Sequence, residues 1–350
     1  MKILLSGYHN PHFLTITEYI ERAIEALGHE LIVFNDRDHV IPGLLRRRFK
    51  ILHKISLVVI NRNFVNISHH NRPDVIIVIG GDRITRRALK QLIKDEISTV
   101  LWTTDPPRKF QPIINSAPFY SHIVCLGTEA VDLLHNAGIK DAHWLPMACD
   151  SDYHQPLELS IEDQDRYSYD IAFVGSYYQR RAELLEGLSS FNLGIWGPGW
   201  EQLPVHSPLR ALVKGAHTKP GTWRKIYSAS KITLSIHYQD PEHRFPVYQA
   251  SPRVFEALAC GAFIITDSQR DVMSLFKDRE HLVAFSDKDD LQEKVAHFLE
   301  HPQERVRIAG NGRREVLENH TYIHRLEKLL SLINAGPRSL PQSAISHSYA

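Results

Sequence analysis

Residues 251–267 read SPRVFEALACGAFIITD, the pattern of a helix followed at once by a buried strand. Ser251 is a good helix-capping residue, and Pro252 suits the first helical position, where the N–H it lacks would be unpaired anyway. Gly261 is a natural stop, and Phe263 to Thr266 form an apolar run ending at Asp267. Arg253 and Glu256 stand three apart, so they share a helix face. The unpaired N–H groups and positive dipole end of such a helix start suit a phosphate. Arg253 adds charge and a two-pronged donor. Glu256, one turn on, can accept both hydroxyls of a ribose. The plain alternative is a surface ion pair on a well-capped helix.

Outward from this stretch, strands and helices alternate. Upstream lie the strands DIAFVGS from Asp170, Leu193 to Trp196 and KITLSIH from Lys231 to His237, with a helix over 180–189. Downstream come HLVAF from His281 to Phe285, a helix from Asp290 to Glu300, and helices over about 302–318 and 321–334. The first half repeats the pattern. KILLSGY is a strand, Thr15-Ile16-Thr17-Glu18 is a capping box before a helix that Gly28 stops, and HELIVFN is a second strand. DVIIVIGG places five apolar residues in a row, as in a strand covered on both faces. Strands at 99–103, 122–126 and 142–145 complete the half.

Alternation of this kind predicts doubly wound parallel sheets, α/β in class. At 350 residues two domains are expected. Residues 1–150 form an N-terminal Rossmann-like domain, and the polar, acidic stretch 151–169 a linker. Residues 170–320 form a second Rossmann-like domain, 321–335 a helix crossing back to the first, and 336–350 a disordered tail. The two domains are expected to face a central cleft, where open α/β sheets hold ligands.

The 41 basic and 40 acidic residues leave a net charge of +1, which gives no reason to expect nucleic acid as a partner. Three cysteines, Cys125, Cys149 and Cys260, make a poor disulfide framework. The first apolar run is too short for a signal peptide, so a cytoplasmic protein is expected. No metal site is expected among the 21 histidines; His69 and His70 are adjacent and cannot share one helix face.

Other residues stand where chemistry is done in such folds. Gly175 follows a buried strand and lets the backbone approach a phosphate, to which Ser176 can donate. Arg180 opens the next helix and can reach a diphosphate; a solvated turn is the alternative. Trp196, in WGPGW, can line a base site or be a core strand residue. His237 ends its strand at the ligand-binding edge. On the N-terminal side His9, in the loop after the first strand, and Asp105, at the end of STVLWTTD, can take a proton from an acceptor hydroxyl. Arg46, Arg47, Arg48 and Lys50, among Leu44, Leu45, Ile51 and Leu52, make a basic amphipathic stretch. It can lie on anionic lipid or simply be a solvated face.

RVFEALACGAFIITD resembles a segment of family-4-type glycosyltransferases of the GT-B fold, and among them the CgeB-like spore-maturation branch. LPMACDSDYHQP resembles the hinge into the second domain, DIAFVGSYYQRRAELL that domain's opening, and HTYIHRLEKLL a motif near its end. LWTTDPP resembles an N-terminal motif. The resemblance spans residues 140–330 and thins before them. It implies GT-B architecture and metal-independent transfer of a sugar from a nucleotide-diphosphate sugar, the donor substrate, with no further cofactor. The acceptor is a saccharide, lipid or protein. It implies that Glu256 holds the donor ribose. One departure stands out: many such enzymes carry a second Glu eight positions before the ribose Glu, and here that position is Tyr248. An epimerase or hydrolase of the same fold, or a non-catalytic nucleotide-sugar-binding protein of spore-surface assembly, are the alternative readings.

Overall fold

The computed structural model describes residues 1–38, 41, 43–104, 110–216 and 221–336, the side chain of Arg47 excepted. It divides into two compact units, residues 1–146 with 323 onward, and residues 147–322. Each is built on one six-stranded sheet whose strands all run parallel.

In the first unit the strands are β1 (Lys2–Gly7), β2 (Glu30–Asn35), β3 (Val75–Ile79), β4 (Ser98–Thr103), β5 (His122–Cys125) and β6 (Ala142–Trp144). They lie in the order β2-β1-β3-β4-β5-β6. All five residues of β3 are buried, because helices cover both faces of the sheet. Helix α1 (Ile16–Ala26) begins on the expected capping box. Thr15 accepts from the Thr17 amide, and Glu18 accepts from the Thr15 amide at 2.6 Å. Between β2 and β3 lie α2 (Gly43–Arg48) and the 22-residue α3 (Lys50–Asn71), which packs on α4 (Arg86–Lys94). The apolar core runs from Leu4 and Phe34 through Phe64, Ile76 and Leu89 to Tyr120 and Ile123.

The second unit holds β7 (Ile171–Val174), β8 (Leu193–Trp196), β9 (Val213–Gly215), β10 (Ile232–Ser235), β11 (Ile264–Asp267) and β12 (Val283–Phe285), in the order β12-β11-β10-β7-β8-β9. Residues 151–169, expected as a linker, fall inside this unit. Ser160 caps a helix, α7 (Ile161–Tyr167), which packs on α9 (Thr222–Ala229) and is tied to it by Lys225 and Asp163 at 2.6 Å. The acidic composition of the stretch reflects α7's exposed face, not an absence of structure. Helix α14 (Tyr322–Asn334) returns the chain to the first unit, where Arg325 donates to the Pro146 carbonyl. Residues 337–350 lie outside the described residues.

The opening stretch folds as read. Helix α10 spans Pro252–Ala259. It ends in a Schellman turn: the Gly261 amide meets the Leu258 carbonyl, and the Ala262 amide the Ala257 carbonyl. Gly261 takes the left-handed conformation, φ +76°, that this turn requires. β11 then runs fully buried beside β10. Helix α13 (Pro302–Asn319) packs on α10. It approaches so closely that a Cβ on Gly312 would collide with the His281 carbonyl oxygen, whereas a Cβ on Gly310 would meet nothing.

These two glycines should therefore respond in opposite ways. Gly310→Ala should stabilise the protein by roughly 0.5–1 kcal/mol through helix propensity. Gly312→Ala should destabilise it by about 2 kcal/mol or more, because backbone must move. Urea unfolding of both variants measures the difference.

Candidate functional site

In an open parallel sheet, ligands sit beyond the strand C-termini, at the point where strand order reverses. In the second unit the chain runs outward from β7 through β8 to β9 and returns to β10 on the other side of β7. The switch point therefore lies between the ends of β7 and β10. Gly175 and Ser176 follow the first, and Ile236 and His237 the second.

The end of β7 is held from three sides. The Gly175 amide donates to the Trp196 carbonyl at 2.8 Å, and the Gly175 carbonyl accepts from the Trp200 indole at 2.9 Å. Gly197, at φ +135°, passes so close that a Cβ there would strike the Gly175 carbonyl. The WGPGW turn is thus a clamp on the Gly175 backbone. Trp196 is not part of the site surface. Its ring is 4% exposed, edge-on to Tyr169 and packed with Tyr167, Ala172 and Ile226. Side chains alternate along a strand, and this one faces the core layer; the core reading of Trp196 is the one the structure gives.

Asp267, His237, Arg180 and Arg181 converge on the switch point. Asp267, at the end of β11, is buried and accepts three hydrogen bonds. They come from Nδ1 of His237 at 2.7 Å, the His237 amide at 3.1 Å and Arg180 at 2.9 Å. Burial alone would raise its pKa, but the bonds from His237 and the charge of Arg180 hold it at about 2. His237 keeps one further ring nitrogen, Nε2. That nitrogen is buried and has no hydrogen-bond partner among the described residues. Arg181 is buried against the rings of Tyr178 and Phe173 and donates to the carbonyls of Ile236 and Ser176. It therefore staples the ends of β10 and β7 together. Burial and the neighbouring Arg253 guanidinium push its pKa down to about 9.

Helix α10 brings its first turn to the same place. The Ser251 side chain makes no capping hydrogen bond, so the first-turn amides are not taken by it. The Arg253 guanidinium lies over the Phe173 ring and close above Gly175, where a Cβ would come within 2.8 Å of its Nη2. Its Nη1 is buried without a hydrogen-bond partner among the described residues. Glu256, one turn further and half-buried, is pushed up by burial to about pKa 7, against the pull of Arg253. Gly175 and Ser176 after β7, Arg180 in the first turn of α8 (Gln179–Glu186), His237 after β10, and Arg253 and Glu256 on α10 with Ser251 as its N-cap frame this one edge. Asp267 and Arg181 complete it and were not singled out from the sequence. The sign for Asp267 is in the sequence, since it is the carboxylate that ends an otherwise uncharged strand. Tyr248 stacks under Arg270, with Cζ 4.8 Å from the ring centroid, and its carbonyl accepts from the Asp271 amide.

The first unit has its own switch point, between β1 and β3. His9 follows β1, and its Nε2 is engaged by Glu21 at 2.6 Å. Asp36, one residue past β2, is 2% exposed; burial raises its pKa to about 6 despite Arg37 nearby. Asp82 follows β3 and Gly80-Gly81, both of which have positive φ, and meets Arg83 at 3.2 Å. Sequence reasoning passed over Asp36 although it directly follows a recognised strand. Asp105 lies outside the described residues. Among the described residues, His297, His301 and Glu304 offer ligand atoms within 4.8 Å of one another. They sit where α12 (Lys288–Glu300) meets α13, not at the strand ends. His297 and His301 stand four apart in HFLEH, a spacing that the expectation of no metal did not reckon with.

Residues 180–331 match a family described as glycosyl transferase-like. The chain is 20% identical over 265 residues to spore protein CgeB of Bacillus subtilis, covering 72% of this chain and 80% of that one. Its fold matches that of HepE from Anabaena, solved with UDP, at a TM-score of 0.65 and 13% identity, over 96% of this chain and 100% of the other. It matches sucrose-phosphate synthase from Thermosynechococcus elongatus at 0.68 and 12% identity, over 95% and 99%. It matches a glycosyltransferase from Rickettsia africae at 0.66 and 14% identity, over 99% of each. The two Rossmann-like units thus have the GT-B fold, and the chain is distantly similar to CgeB and, over residues 180–331, to the glycosyl transferase-like family.

Glu256 generates a pH prediction. Its folded pKa, about 7, lies above its ordinary 4.5, so the carboxylate is neutral to stability below that value and destabilising as pH rises through 7. Glu256→Gln should therefore gain stability over the natural protein between pH 5 and pH 8, by roughly 2 kcal/mol once partial solvent screening is allowed for. Chemical denaturation at the two pH values reads this directly.

Proposed function

We propose that this protein is a glycosyltransferase that binds a nucleotide-diphosphate sugar on its second unit and passes the sugar to an acceptor. The observation that carries the reading is Arg253. Its guanidinium is fixed over Gly175 at a helix start, with a buried nitrogen unpartnered and a carboxylate one turn behind it. A diphosphate against the first turn of α10 would meet that nitrogen, the Arg253 main-chain amide and Ser176. Glu256 would take the ribose hydroxyls.

Charge builds on the diphosphate as the sugar leaves, and donors already aimed at it lower the barrier. Arg253 supplies such a donor. Arg180 supplies a second, since it is one-third exposed and can swing from Asp267. The His237 ring, held by Asp267 through Nδ1 and with Nε2 unpartnered among the described residues, stands beside the donor pocket. It is suited to hold a hydroxyl of the sugar. We infer that the charge-stabilising role falls to these cations and the helix start, without a metal ion. On the acceptor side Asp36, with its pKa near 6, joins His9 and Asp105 as a candidate base, because a base titrating near neutral pH transfers protons best. The acceptor is to be sought among saccharides, lipids and proteins. UDP is the first nucleotide to test, because HepE, of the same fold, was solved with it. Three buried free cysteines and the expected use of a nucleotide sugar support a cytoplasmic site of action.

Tyr248 favours a second reading. With its ring under Arg270 and no acid in its place, the sugar end of the donor lacks a contact that the resemblance implies, so the protein would bind nucleotide sugar without turnover.

Calorimetry with UDP and a panel of UDP-, GDP-, ADP- and TDP-sugars separates these readings. Arg253→Ala should weaken nucleotide binding by about tenfold to a hundredfold, the scale of a charge-assisted hydrogen bond. Glu256→Ala should weaken nucleoside diphosphate binding by about tenfold while leaving inorganic diphosphate unaffected. Unchanged affinity in both variants would overturn the donor-site assignment. Tight binding with no nucleotide release from any donor, acceptors present, would select the non-catalytic reading.

A further inference from the structure

Outside the proposed donor site, α2 and α3 of the first unit carry an uncovered apolar face. Among the described residues, six of the fourteen exposed large apolar side chains fall within residues 44–58: Leu44, Leu45, Phe49, Ile51, Ile55 and Val58. Leu44, Ile51 and Val58 are 75%, 63% and 67% exposed. Along α3, Ile51, Ile55 and Val58 recur at helical spacing and form one stripe. The helix buries Ser56, Ile60 and Phe64 on its opposite side. It is therefore apolar on two faces, and the core needs only one of them.

The charge around that stripe is one-sided. Residues 39–73 contain seven Lys and Arg and no Asp or Glu, in a chain whose net charge is only +1. Lys50, Lys54 and Arg62 are exposed along α3, and Arg48 at the end of α2. Beside the stripe a groove of about 620 Å³ opens between α3 and α4, walled by Leu57, Val58 and Val65 and rimmed by Lys54, Arg62 and Arg87. Asp95 meets His69 at 2.6 Å at the last turn of α3, leaving the stripe itself without a carboxylate from its own helix.

The geometry points to an anionic lipid surface as the occupant of this face. Apolar side chains flanked by cations are the composition of a helix that lies in a membrane interface, with lipid phosphates on the Lys and Arg side chains and the Ile and Val side chains among the acyl chains. A second copy fits poorly, because two such faces would oppose like charges with nothing between to offset them. Lying on the surface, not crossing it, is the only membrane contact available to α3: no helix of the described residues is long and apolar enough to span. The inference stands apart from the proposed sugar transfer and needs no substrate to test.

The full chain would be floated with vesicles of phosphatidylcholine alone and of phosphatidylcholine mixed with phosphatidylglycerol. Binding is expected to the mixed vesicles only, and to weaken as salt is raised. Replacing Ile51, Ile55 and Val58 together by Ser should lower partitioning by about tenfold or more. Lys50→Glu with Lys54→Glu should do the same by an independent route. All these side chains are exposed, so both variants should melt at or above the natural temperature, which guards against a folding artefact. Failure of the natural protein to bind the mixed vesicles, or binding unaffected in both variants, would overturn the proposal. So would a dimer, seen by light scattering, that the serine variant converts to monomer.

Discussion

The carboxylate of Asp267 is buried where the ends of three strands meet the start of a helix, and it accepts hydrogen bonds from two of these segments. His237, just past β10, gives it a ring N–H and a main-chain N–H, and Arg180, in the first turn of α8 (Gln179–Glu186), gives it a guanidinium. An ionised carboxylate survives burial only when it is paired and hydrogen-bonded in this way. Because it is so satisfied, it fixes two things at once: the direction of the His237 ring and the place of Arg180 at the mouth of the β7 turn. Arg181 adds the complementary tie, joining the β7 and β10 ends through their carbonyls.

Glycine does the remaining shaping, by absence. Gly197 lets the WGPGW turn press on Gly175, and Gly175 lets the Arg253 guanidinium settle on the strand end. Three guanidiniums thereby gather around one ionised carboxylate, and the Arg181 pKa falls under the strain of burial and of Arg253. Such an excess of fixed positive charge is a reason for an anion to bind. The same residues that hold the switch point together also make it electropositive.

The two units treat their carboxylates in opposite ways. In the second, Asp267 is pulled down to about 2 by its partners. In the first, Asp36 is left with desolvation as its dominant influence and rises to about 6. Environment, not residue type, separates an anchor from a group able to exchange a proton near neutrality.

Much of the fold was legible in the chain. The five-residue apolar run of β3, the capping box of α1, and the Ser-Pro start and Gly261 stop of α10 are local patterns with local causes, and each forms where its pattern lies. The tie from α7 to α9 was not legible, because a polar stretch declares only that one face is wet and says nothing of what the other face packs on. Nor was the fate of Trp196: whether an indole in a glycine-rich turn lines a site or fills a core depends on which sheet face it occupies. The sequence by itself determined the alternation of elements, the helix start that offers Arg253 and Glu256 on one face, and the long acid-free basic segment. Only tertiary structure decided that Asp267 meets His237 and Arg180, residues 30 and 87 positions away, and that Ile51, Ile55 and Val58 stay uncovered. The reason is that periodicity and capping act within a few residues, whereas pairing and burial depend on strand order, which brings distant segments side by side.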